Sequence, residues 1–289
     1  MNYLLHIFVM LEIYIILGLA MNLLAGYSGL LSLAQAAFYG TGAYITAMLL
    51  VNFGYSFPAT FSIVVLVSLL ACIPIIVFAI RFRDLFFILA TLAWQVIVYS
   101  VLYNWVSVTN GPYGISGIPK PVVFGYSFES LHQFALFAGL VCLSVLFFFY
   151  ALNRSPLVRY LQGVRDDQLA MLTFGKSPSY YKAIAIGISS AISAIAGVLY
   201  ATYFSFIDPS SFSINESILI ISIVLIGGLG TIRGSVAGAF FYVLLPELLK
   251  LFNVPDSSAS NIRMMVYAFI LILMVIYRPY GFFGNYRFE

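Results

Sequence analysis

Long apolar stretches separated by short polar breaks set the pattern of this chain. Residues 4–24, 57–80, 85–106, 131–152 and 183–204 are each apolar over about the 20 residues that an α-helix needs to cross a bilayer. A further run, ending near Val51, is interrupted by Gly40-Thr41-Gly42, and the first run ends in Ala25-Gly26-Tyr27-Ser28-Gly29. Two shorter runs, 217–228 and 235–249, are separated by the glycine-rich Gly227–Gly234, and a last run covers 262–277. The runs end at turn residues and lack a period of two, which predicts helices and not an outer-membrane barrel. The expected fold is therefore an all-α polytopic membrane protein. It is one membrane domain over 1–289, a bundle of eight to ten transmembrane helices with nine favoured, some of them short or broken.

Two polar segments stand out. Residues 107–130 are rich in Gly and Pro, with Lys120 as their only basic residue, and predict an external loop. Residues 153–182 carry Arg165, Asp166, Asp167, Lys176 and Lys182. Within them Leu161, Val164, Met171 and Leu172 fall near one helical face, Arg165 and Asp166 on another, Gly175 supplies a stop and Pro178 a barrier. The spacing predicts a short surface helix lying at the membrane. If 153–182 is cytoplasmic, one nine-crossing threading puts Arg81, Arg83, Arg154, Arg159, Arg165, Lys176, Lys182, Arg233, Arg278 and Arg287 inside. Only Lys120, Lys250 and Arg263 then lie outside, the positive-inside bias of a membrane protein.

Composition sharpens this picture. Hydrophobic residues make up 63% of the 289 and charged residues 8%, against about 25% charged in soluble domains. The net charge is only +3 and no basic tract suits nucleic acid. Cys72 and Cys142 lie inside apolar runs without metal spacing and are expected to be packing residues. The N-terminal run lacks a basic leader and contains Glu12, so a retained membrane helix is expected there. No GxxxxGK[ST], HExxH or GxSxG occurs, so no ATP hydrolysis, metal or serine chemistry is expected of this chain, and His6 and His132 read as interfacial. Glu12 is the only carboxylate well inside a run; a proton or ion relay is built from several such groups.

The glycine-rich breaks are the best candidates for a translocation path. Unwound backbone is tolerated in a bilayer only where it is buried or lines a cavity. On this ground Gly26, Gly29, Gln35, Gly40, Gly42, Gly227, Gly228, Gly230 and Gly238 are candidate path residues. Tight helix packing is the competing explanation of the same glycines.

Five blocks, in order, resemble the M-type permease subunits of branched-chain amino acid ABC transporters. They are Asn22–Gln35 with Gly40–Tyr44; Arg81–Ala93; Thr109–Pro119; Gly163–Asp167 through Ala170, Gly175, Tyr181 and Lys182; and Ile226–Thr231 with Gly234, Gly238 and Ala239. The resemblance implies a multi-pass subunit of the bacterial inner membrane, not an enzyme, that imports branched-chain or other hydrophobic amino acids. It implies four kinds of partner: a homologous permease (LivH-like), two ATP-binding subunits that use the ATP, a periplasmic substrate-binding protein and the lipid bilayer. No cofactor is expected on this chain. By the same resemblance, 107–130 is periplasmic and 153–182 is the cytoplasmic coupling loop. Gly163, Arg165, Asp167, Ala170, Gly175 and Lys182 are its candidate ATPase-docking residues. Gln168, Leu172 and Thr173 depart from the family pattern there. A urea or amide importer of the same family and a stand-alone secondary carrier are the alternatives.

Overall fold

The computed structural model describes residues 2–123, 125–250, 265–266, 268–273, 276–278 and 280–284. Helix α1 (Asn2–Asn22) ends in a π-helical turn (Leu23–Tyr27), and α2 (Gln35–Ala47) in another (Met48–Asn52). Helices α3 (Phe57–Ala71) and α4 (Ile73–Arg81) form one span, followed by α5 (Asp84–Asn104) and a one-turn α6 (Val106–Thr109). Beyond them come α7 (Leu131–Arg154), α8 (Pro156–Asp166), α9 (Gln168–Thr173), α10 (Pro178–Phe204), α11 (Ile214–Gly227) and α12 (Ile232–Lys250). Among the described residues, five helical segments are long and apolar enough to cross a membrane: Asn2–Tyr27, Phe57–Arg81, Asp84–Asn104, Leu131–Arg154 and Pro178–Phe204. Helix α11, at 14 residues, spans roughly 21 Å and falls short of a hydrocarbon layer about 30 Å thick. The expected last run, 262–277, lies partly outside the described residues.

The core is a layer of α1, α10 and α2. Most of α1 and α10 is buried, whereas α5 and α7 expose most of their apolar side chains. Helices α7, α11 and α12 pack on α1; α3, α4 and α5 complete the other side around α2 and α10. Leu136, Leu140, Leu143 and Phe147 stand exposed at 62–72% along one flank of α7. So large an apolar flank is stable only against lipid or another protein.

Pro74 has no N–H to donate, and the helix is interrupted beside it, between α3 and α4 at Cys72. The expected break at Gly40–Gly42 is absent, because α2 runs through both glycines and the non-helical stretch is 28–34. Packing explains this. A side chain at Gly42 would overlap the backbone of Ala194, and one at Gly197 the backbone of Tyr39 and Ala43. The glycines let α2 and α10 cross in backbone contact, and that burial overrides their weak helix propensity. Gly227 and Gly238 do the same between α11 and α12, against Gly234 and the Ile223 carbonyl.

The long connections gather at the two ends of the bundle. At one end, β1 (Ile115–Ser116) pairs antiparallel with β4 (Phe206–Ile207), in register Ile115↔Ile207. A hairpin of β2 (Val122–Val123) and β3 (Tyr126–Ser127) lies in the same segment. The 107–130 loop is thus stitched to the chain after α10. The segment 153–182 lies beyond the opposite end of α7 and folds as two helices, α8 and α9, where one was expected. Asp167 divides them, because its extended backbone stops α8 while its carboxylate caps α9.

Candidate functional site

At the end of the bundle that carries α8, the chain leaves α1 through Asn22. Its side chain donates from Nδ2 to the Thr231 carbonyl and accepts at Oδ1 from the Gly230 N–H, both at 2.8 Å. One turn on, Gly26 lies against the backbone of Gly230, leaving no room for a Cβ. Arg165 of α8 reaches the same point, its Nη1 donating to the Gly26 carbonyl at 2.7 Å while Nε pairs with Asp166 at 2.8 Å. The Arg165 side chain is only 11% exposed. Gly29, at φ +70°, rests on the Arg165 stem; a Cβ there would stand 2.6 Å from Cγ. Four expected site residues, Gly26, Gly29, Arg165 and Gly230, therefore form one junction. Gly228, at φ +113°, lies beside it against Gly281 and Gly284.

The remaining loop residues are structural within this chain. The Asp167 carboxylate accepts from the N–H groups of Leu169 (2.8 Å) and Ala170 (3.1 Å). Gly163 makes room for Met171, whose Sδ would lie 2.7 Å from a Cβ at 163. Gly175, at φ +72°, ends α9 in a Schellman motif, with Lys176 N–H donating to Met171 O and Gly175 N–H to Leu172 O. Lys182 is 5% exposed, and its Nζ donates to Ala79 O and Gln168 Oε1 at 3.2 Å. Leu161, Val164 and Met171 are buried as their spacing predicts, but Leu172 points outward. What α9 presents outward is apolar: Leu169, Leu172 and Phe174 are 66%, 55% and 77% exposed. None of these three is among the docking residues expected from the sequence.

Deeper in the bundle, a polar seam surrounds the first turn of α2. The N–H of Ala36 donates to Ser217 Oγ (3.0 Å), that of Leu33 to Thr91 Oγ1 (3.1 Å) and that of Ala34 to Ser32 Oγ (3.3 Å). Side chains from α5 and α11 thus cap a buried helix start that lacks its own side-chain cap. Gln35 Nε2 donates to Ser189 Oγ at 3.2 Å and also to Ser193 Oγ, while Gln35 Oε1 is buried without a partner among the described residues. Gln95 extends the seam, donating to Phe212 O at 2.8 Å, and Gly40 lies under the Phe212 ring. Among the described residues the seam holds hydroxyls and amides but no ion pair. Such groups can exchange their mutual hydrogen bonds for bonds to a polar solute without stranding a charge. Of these polar side chains only Gln35 is among the path residues expected from the sequence. The signal for its partners was the four-residue spacing of Ser189 and Ser193, which puts both hydroxyls on one face of α10.

These features define a polytopic membrane protein of the solute-permease class: a close-packed helical bundle, a buried uncharged seam, and an amphipathic loop tied into one end. The chain belongs to the family described as branched-chain amino acid transport system / permease component, whose model matches residues 3–276. It is 34% identical to the high-affinity branched-chain amino acid transport system permease protein LivM of Salmonella typhimurium, over 94% of this chain and 68% of that one. The LivM protein of Escherichia coli is also 34% identical, over 93% of this chain and 67% of its own length. A more distant relative, the autoinducer 2 import system permease protein LsrC of an Enterobacter species, is 25% identical over 77% of this chain and 64% of that protein. No solved structure matches.

Proposed function

We propose that this chain is the membrane-spanning permease subunit of an ABC importer for branched-chain or related hydrophobic amino acids, set in the cytoplasmic membrane. It pairs with a homologous permease, two ATP-binding subunits bind its α8–α9 end, and a substrate-binding protein delivers solute at the 107–130 end. The chain supplies no ATPase motif and takes its energy from the partners. Within the family membership, the observation that carries this reading is the α8–α9 unit. Its root is bonded to the bundle through Arg165 and Lys182, and its tip exposes Leu169, Leu172 and Phe174. A short helix presenting an apolar tip suits a groove on a soluble partner. The Gln35 seam is the proposed solute path, since its groups match the polar ends of an amino acid.

The test is reconstitution of the chain with its ATPases, permease partner and binding protein in proteoliposomes, with uptake of labelled leucine, isoleucine and valine measured. ATP-dependent uptake that requires every component is expected. Uptake by this chain alone, driven by a proton or sodium gradient, would overturn the reading.

A further inference from the structure

At the 107–130 end of the bundle, away from the Arg165 junction, lies a cavity of about 330 Å³ between the ends of α1, α7 and α10. That is the lower end of the roughly 300–1,000 Å³ range of small-molecule sites. Its polar wall is His6, Lys120, Glu129 and Tyr203; its apolar wall is chiefly Phe134 and Phe204.

Lys120 is fixed in place. Its Nζ donates to the carbonyls of Thr202 (3.0 Å) and Tyr203 (2.6 Å) at the C-terminus of α10. Those carbonyls have no helical partner, and the helix dipole favours a cation there. The ammonium also lies 5.3 Å from the Phe134 ring centre and 5.6 Å from that of Tyr203. Two of its three protons are thereby used, and the third is available to a ligand. Burial pushes the Lys120 pKa down from its ordinary value, the mark of a cation short of solvation. The aromatic wall is fixed too: His6 Nδ1 and Tyr203 Oη are 2.8 Å apart, with the rings stacked at 5.6 Å, and Phe204 lies edge-on to His6 at 6.1 Å. Glu129 is exposed at the rim and forms no ion pair with Lys120 among the described residues.

A half-buried cation, a carboxylate lining the same cavity and an aromatic wall select one kind of molecule. We propose that this cavity is an outer-face binding site for a small zwitterion with an apolar body. An anionic group accepts from Lys120 Nζ, an ammonium faces the Glu129 carboxylate, and the apolar body lies on Phe134 and Phe204. A free amino acid and a zwitterionic lipid headgroup share this chemistry, and the Phe134 and Phe204 wall, which an apolar side chain would cover, favours the amino acid. The assignment rests on the permease reading above and adds to it a reception site distinct from the Gln35 seam.

The experiment is equilibrium binding of labelled leucine to the full chain in nanodiscs of phosphatidylglycerol, which offers no zwitterionic headgroup. Saturable binding is expected. Glu129→Gln keeps the shape of an exposed residue and should weaken leucine about 10-fold, while leaving binding of 4-methylpentanoate, which lacks the ammonium, unchanged. Lys120→Gln should weaken both, and Lys120→Arg, which keeps the cation on the α10 carbonyls, should restore 4-methylpentanoate binding. Absence of saturable binding, or equal leucine affinity in wild type and Glu129→Gln, would overturn the site. Loss of leucine binding on changing to phosphatidylethanolamine nanodiscs would overturn the amino-acid assignment in favour of the headgroup. ATP-driven uptake by the assembled importer is measured in parallel. Uptake without binding at this cavity removes the site alone, and binding without uptake removes the transport reading.

Discussion

The guanidinium of Arg165 donates to the backbone carbonyl of Gly26 across 2.7 Å, joining residues 139 apart in the chain. One partner lies in the loop helix α8, the other in the π turn where α1 gives way to irregular backbone. Gly26 in turn lies on Gly230, so a single contact ties α8 to both glycine-rich breaks. A displacement of α8 would therefore act on the backbone around Gly26 and Gly230 through this bond.

Arg165→Ala should therefore uncouple the importer without dismantling it. The loss strands a part-buried carbonyl, at a cost of about 1–3 kcal/mol, too little to unfold a bundle whose core is α1, α10 and α2. The expected phenotype is normal recovery of the complex and retained ATPase activity, with leucine uptake per ATP reduced about 10-fold, equivalent to about 1.4 kcal/mol. Arg165→Lys, which keeps a donor but loses the planar fork, should fall between. The check is simultaneous measurement of uptake and ATP hydrolysis in proteoliposomes; an unchanged ratio would show that the junction is structural only.

Docking should depend instead on the apolar tip. Leu169 and Phe174 are more than 60% exposed and are not part of the buried core of the described residues. Leu169→Asp with Phe174→Asp should leave the chain in the membrane at wild-type levels and reduce co-purification of the ATP-binding subunits at least tenfold. Truncation of a buried anchor at an interface commonly costs about 2 kcal/mol or more. Asp166→Asn, at the exposed edge of the same loop, should change binding by less than twofold at physiological salt. Equal loss in both variants would point to a charge-driven contact.

Much of this architecture is legible in the sequence because apolar run length and turn chemistry are local. The spans through 57–80 and 183–204, the interruption beside Pro74 and the stop at Gly175 all follow from neighbours in the chain. The inward turn of Arg165 is not local. An arginine on a short amphipathic helix reads as part of a solvated face, and its partner is a backbone carbonyl, which leaves no mark in residue type. Lys182 misleads in the same way, since Ala79 supplies a carbonyl and no charge. Gly40 and Gly42 read as a break by propensity, yet the Phe212 ring lies against the first and the backbone of α10 against the second, and both turn small size into packing contact. The caps of α2 come from Thr91 and Ser217 on other helices, so no box preceding the helix announces its start.

Gly42→Val tests that helix contact. A Cβ at this position would stand 2.6 Å from the Ala194 Cα, closer still to its carbonyl, and rigid backbone cannot rotate away. Overpacking typically costs about 1–3 kcal/mol and more where backbone must shift. A marked fall in the melting temperature of the purified protein is expected, with Gly42→Ala intermediate. By contrast Gly175→Ala meets open space and carries only the left-handed backbone penalty of about 1–2 kcal/mol. It should loosen α9 locally and leave the global melting temperature nearly unchanged. Limited proteolysis at 173–177 would report the difference.

Gln35 separates stability from transport. Its Oε1 is buried with no partner among the described residues, a cost to the fold. Removing the side chain strands little, because Ser189 Oγ donates to Ala20 O at 2.7 Å and Ser193 Oγ donates to Ser189 O at 2.9 Å whether or not Gln35 is there. Gln35→Leu, similar in volume and fully apolar, should therefore leave the melting temperature unchanged or raise it. If the seam is the solute path, the same variant should lower leucine uptake about 10-fold or more. The amide's free acceptor can bond a passing ammonium, whereas a leucine leaves that group desolvated and unpaired. Thermal unfolding and ATP-driven uptake measured on one preparation decide the matter. A stable Gln35→Leu protein with wild-type uptake would remove the seam from the path and direct attention to surfaces that meet the partner permease.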